Sequence, residues 1–165
     1  MGQESPSSAA PTVMIRAGQW DTVRLSAGCA GMRRMTSAPT AGPGRAPIAR
    51  FDLVVLDTPE PRRLADFYGT LLGWVVVDED VDWITIRPDA GSPYGLAFQL
   101  APDLVPPTWP DPAVPQQSHL DVTVDDLDEG EARVLAIGGR PTGVTARGFR
   151  AYLDPSGHPF CLCLP

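Results

Sequence analysis

The feature that most constrains this chain is a hidden duplication of one strand–helix–strand unit. Leu53 stands in the apolar run F-D-L-V-V-L-D, and His119 in S-H-L-D-V-T-V-D-D. Seven residues after each comes an acid placed to open a helix, Glu60 and Asp126. Twenty residues after each comes a glycine placed to close it, Gly73 and Gly139. One supersecondary unit repeated at about 65 residues is architecture: neighbouring copies bury a face against each other. Equivalent positions can then converge on one site. Here one such position is a leucine and its mate a histidine.

The elements follow from local pattern. In the first copy the apolar run from Leu53 to Leu56 reads as a strand. Thr58-Pro59-Glu60-Pro61 breaks it and opens a helix carrying Leu64, Phe67, Tyr68, Leu71 and Leu72 at helical spacing. Trp74–Val77, Val81–Ile86 and Tyr94–Leu100 read as three further strands. The second copy gives a strand from His119 to Val124, a helix from Leu127 to Ile137, and strands at 141–145, 149–153 and 159–164. The modules are therefore 48–100 and 117–165, joined by a linker at 101–116 with six prolines. Residues 1–46, rich in Ser, Ala, Pro, Gly and Thr without periodicity, are expected to be a disordered extension of a domain at 47–165. Met35 is an alternative start within that extension.

Charge and cysteine usage narrow the function classes. The net charge is −7, and all 13 basic residues are arginines. Six of them precede Phe51, so the body is strongly acidic, which argues against a nucleic-acid partner. No apolar run reaches the ~20 residues of a membrane span, and Met1–Met14 lacks the pattern of a secretory signal. Cys29, Cys161 and Cys163 are read as reduced thiols, which places the protein in the cytoplasm. Cys161 and Cys163 read as small buried residues rather than nucleophiles, and His158 as a surface residue.

Three segments together carry a resemblance: L-A-D-F-Y-G-T-L-L-G-W from Leu64, S-H-L-D-V-T-V-D-D-L-D from Ser118, and Y-L-D-P-S-G-H-P-F from Tyr152. With these the chain resembles the glyoxalase/bleomycin-resistance/dioxygenase (vicinal-oxygen-chelate) superfamily, in its glyoxalase-like branch. The resemblance covers about residues 48–165 and implies an α+β fold. Two tandem βαβββ modules form a cup-shaped mixed sheet, and the cup holds the site. Metal-using members draw four ligands from the first and last strands of each module. Carried over, those positions are Leu53, Gln99, His119 and Cys161. Leucine cannot bind a metal and glutamine is a weak donor, so no metal and no other cofactor are expected.

The candidate ligand-binding residues are then Leu53, Trp83, Gln99, His119, Asp121, Tyr152 and Cys161. His119 is the candidate acid–base group, because imidazole titrates near neutral pH. Asp121 shares its strand face. Trp83 and Tyr152 are aromatic walls for a planar ligand. Three functions stay open. The first is a metal-free binder of a small organic molecule, like drug-sequestering members of the superfamily. The second is a lyase or isomerase using His119 with Asp121 or Gln99. The third is a domain with a structural or regulatory role. The expected partners are a small-molecule ligand and a second copy in a homodimer, with neither nucleic acid nor membrane.

Overall fold

A computed structural model of the chain describes residues 48–165. The expected disorder of residues 1–46 lies outside these residues, as does Cys29. The first module contains β1 (Leu53–Thr58), α1 (Pro61–Leu72), β2 (Val75–Glu79), β3 (Trp83–Arg87) and β4 (Gly95–Leu100). The second contains β5 (Leu120–Thr123), α2 (Leu127–Ala136), β6 (Arg140–Ala146), β7 (Phe149–Leu153) and β8 (Pro159–Cys163). Each module makes one four-stranded mixed sheet, ordered β1-β4-β3-β2 and β5-β8-β7-β6. In each, the first strand pairs parallel to the last, and the remaining pairings are antiparallel. The α+β fold of two βαβββ modules is therefore as expected. Val81 falls in a turn rather than in a strand. No helix among the described residues is long and apolar enough to cross a membrane.

The two helices start and stop by different devices than the matching acids and glycines suggest. Asp126 caps α2, its carboxylate accepting from the backbone N–H groups of Asp128 and Glu129 at 2.8 and 2.9 Å. Those two bonds hold its pKa below the usual carboxylate value. Glu60 makes no such bond to α1. Its own N–H donates instead to Thr58 Oγ1 at 3.0 Å, while Pro61 starts the helix. Gly73 closes α1 in the left-handed conformation, as expected. At the end of α2 it is Gly138, at φ +100°, that makes the reversal. Gly139 serves close packing, since a Cβ there would collide with Val134.

One core spans both modules. Leu64, Phe67 and Tyr68 of α1 are buried with Phe98 of β4 and with Tyr152, Phe160 and Leu162 of the second module. The Tyr68 ring stacks on Phe98 at 5.7 Å, and Phe67 meets Phe160 edge-on at 5.7 Å. Two hydrogen bonds cross the same boundary. Tyr68 Oη donates to Asp154 Oδ2 at 3.0 Å, and the Thr58 and Ser156 hydroxyls lie 2.7 Å apart. Tyr68 and Asp154 are both 0% exposed, so this polar pair is sealed inside the core.

Candidate functional site

Strand alternation gives each sheet a core-facing side and a helix-free side. On the helix-free side of the second sheet stand His119, Asp121 and Thr123, with Cys161 opposite Asp121 and Cys163 opposite Thr123. His119 Nε2 lies 3.4 Å from Asp121 Oδ1, and both side chains are 43% exposed. One donor atom from each of His119, Asp121 and Cys161 falls within 4.8 Å of the others. Cys161 is 9% exposed. Burial first, then the charge and hydrogen bond of Asp121, pushes its thiol up to about 12. At neutral pH it is therefore a protonated thiol and a poor nucleophile. Cys161 is a free cysteine. Cys163 is disulfide-bonded, which corrects the expectation of a reduced thiol there.

The register between first and last strands redraws the expected four positions. Asp121, two residues after His119, pairs with Cys161. Val55, two residues after Leu53, pairs with Ala97. The counterpart of Cys161 in the first module is therefore Ala97, not Gln99. Gln99 pairs with Asp57 and Trp83 at the far end of β1, four residues and ~13 Å along the strand from Leu53. Leu53 and Gln99 thus share the helix-free face without meeting. The polar cluster is built in the second module alone. The family's four-ligand metal centre does not fit these residues. Leu53 and Ala97 offer no donor atom, which leaves the three donors His119, Asp121 and Cys161 of the second module.

The aromatic candidates divide. Trp83 lies on the helix-free face beside Gln99, its Nε1 donating to Thr85 Oγ1 at 2.8 Å. Tyr152 does not: it pairs with Phe160 on the core side, and its hydroxyl donates to Glu131 of α2 at 2.7 Å. An aromatic that the sequence left in the linker takes the place over the cluster. Trp109 packs on Ala151, Cys161 and Cys163, alongside Val144 and Phe149. A closed loop presents it. Thr108 N donates to Val114 O at 2.9 Å, Val114 N to Thr108 Oγ1 at 2.9 Å, and Ala113 N to Asp111 Oδ1 at 2.7 Å. His158 is the other residue the sequence misplaced. Its side chain is 17% exposed, with Nδ1 3.0 Å from the buried Asp154 carboxylate. The signal for Trp109 was a lone aromatic inside a proline run. The signal for His158 was its fixed distance from Asp154 in a turn.

Residues 53–163 match the model of the glyoxalase-like domain, and the chain belongs to that family. Among solved structures, it is similar to a glyoxalase family protein from Enterococcus faecalis at 18% identity. That match covers 70% of this chain and 98% of the other, with a TM-score of 0.53. The trypanothione-dependent glyoxalase I of Leishmania major is 17% identical, covering 70% and 86%, with a TM-score of 0.52. The fosfomycin resistance protein FosX of Mesorhizobium loti is 12% identical, covering 68% and 88%, with a TM-score of 0.52. At these identities the likeness is one of fold. No curated protein matches the chain.

Proposed function

We propose that this chain binds a small organic molecule on the helix-free side of its sheets without a catalytic metal. The observation that carries this reading is the donor set. The register aligns Leu53 and Ala97 with His119 and Cys161, the positions that the resemblance assigns to metal ligands, while His119 and Asp121 lie 3.4 Å apart on one face. On this reading the apolar part of the lining comes from Leu53, Val55 and Trp83, and the polar part from His119, Asp121 and Gln99. Such a lining suits an organic ligand of moderate size. Asp121 favours a cationic or hydroxyl-bearing group. The similarity to a fosfomycin resistance protein is in keeping with a drug- or metabolite-handling role. The working unit proposed is the domain at residues 47–165, acting as a homodimer. Val75, Val76 and Val77 of the edge strand β2 are exposed and suit a self-complementary contact.

The test is metal analysis of purified protein combined with a thermal-shift ligand screen. The expected result is well under one equivalent of Ni, Zn, Fe or Mn. Hits should lose their stabilising effect in His119→Ala and Asp121→Asn. Stoichiometric metal that resists a chelator, or a ligand indifferent to both substitutions, overturns the reading. Turnover of a hit would move the chain from binder to lyase or isomerase.

A further inference from the structure

The linker does more than hold Trp109 in place. It also roofs a cavity of about 370 Å3 against the first sheet, whose walls include Val55, Asp57, Val105, Val114, Ser118 and His158. A volume of this size is at the lower end of ligand sites. Among its lining residues none is an arginine, and the one carboxylate is that of Asp57.

His158 reaches this cavity already oriented. Asp154 Oδ1 accepts from the N–H groups of Ser156, Gly157 and His158 at 2.9, 2.9 and 3.0 Å. Its Oδ2 accepts from Tyr68 Oη and faces His158 Nδ1, each at 3.0 Å. A carboxylate so placed can only accept, so the neutral imidazole carries its proton on Nδ1 and leaves Nε2 as the acceptor. Nε2 has no hydrogen-bond partner among the described residues. The turn beneath is fixed. A Cβ on Gly157 would come within 2.7 Å of Pro106 Cβ, so linker and turn touch there. An imidazole oriented by a buried carboxylate beside a mostly apolar cavity offers a fixed acceptor for a hydroxyl group.

We propose that this cavity is a second binding site, in which His158 Nε2 accepts from a hydroxyl of a small, largely apolar organic cation and Asp57 meets its charge. The proposal rests on the helix-free side being the ligand side. It uses none of His119, Asp121 or Cys161, so the two can fail separately.

Tyramine is a suitable probe, with one aromatic body, one hydroxyl and one ammonium. The full chain has two histidines, so both imidazoles can be followed by NMR during a titration to about 20 mM. The His158 ring signals should move and saturate. Phenethylamine, which lacks the hydroxyl, should bind about tenfold more weakly. His158→Asn keeps an N–H donor where Nδ1 stands, so Asp154 stays paired, but it removes Nε2. It should cost tyramine the same factor of about ten, and Asp57→Asn a comparable loss. The proposal falls if nothing saturates, if phenethylamine binds as well as tyramine, or if His158→Asn keeps full affinity. If His158→Asn is unstable, the two-probe comparison in the wild-type chain decides alone. Movement of His119 without His158 would leave the proposed function standing and remove this site.

Discussion

Replacing Tyr68 by Phe deletes one oxygen and tests the sealed contact between the modules. The ring keeps its stack on Phe98 and its edge contact with Phe67, so no cavity larger than a hydroxyl is left. What is lost is a 3.0 Å hydrogen bond to a carboxylate that is 0% exposed. Hydrogen bonds to buried charge contribute about 1.5–3 kcal/mol. Asp154 retains His158 Nδ1 and three backbone donors, which places the expected cost near the lower end, at about 2 kcal/mol. For a folded part of this size, that lowers Tm by about 8 °C. Calorimetry of both proteins reads this directly. The pH dependence adds a sharper check. Burial, and then the charge and hydrogen bond of Asp154, raises the Tyr68 hydroxyl well above its ordinary pKa of 10.0. The folded chain then holds a proton that the unfolded chain releases near pH 10. The stability this group contributes is full below about pH 10 and is lost as pH rises towards the folded pKa. Tyr68→Phe lacks the group, so the stability gap between the two proteins should shrink above pH 10. Tyr152 and Cys161 titrate in both proteins and cancel. A Tm change under about 2 °C, or a gap constant from pH 8 to 11, would refute the reasoning.

Asp121→Asn removes the second cause of the raised Cys161 thiol. Its pKa should fall from about 12 while burial still holds it above the ordinary value, read as thiolate absorbance against a Cys161→Ser control. Gly157→Ala forces a side chain into φ +97° and against Pro106, and should cost about 2 kcal/mol in denaturant melts. Trp109→Ala uncovers Cys161, so its alkylation should speed up several-fold at pH 8 while stability drops by about 2 kcal/mol, measured by mass spectrometry and melting. Leu53→His combined with Cys161→Glu should raise nickel affinity in calorimetric titration, because it returns two donors to first- and last-strand positions.

What the sequence made legible was whatever depends on local periodicity. Leu64, Phe67 and Tyr68 declare a helix by spacing, and the duplication places both copies of the unit within a residue or two. What it hid depends on which residues oppose one another across strands far apart in the chain. Tyr152 sits one residue from Ala151, and one step on a strand exchanges the two faces. Counting along β4 could not show that Val55 pairs with Ala97, because α1, β2 and β3 all lie between the two strands in the chain. Glu60 looks like the match of Asp126, yet Thr58 two residues earlier serves the local N–H better. Trp109 owes its place to packing between distant segments, which no window of sequence contains, whereas His158 is held by Asp154 four residues away and only its burial depends on the rest of the fold.

The Tyr68–Asp154 and Thr58–Ser156 bonds join the first module to the last turn of the second. Neither bond depends on the two modules belonging to one chain. Two chains exchanging modules would remake both bonds between subunits and keep the core intact, as in domain swapping. The stretch that would have to let go is 101–118, held by Pro106 at Gly157 and by Trp109 on β7 and β8. That same stretch roofs the cavity at His158. An exchange of modules would therefore also open that cavity. A ligand that seats under the linker would also fix which partner each module keeps.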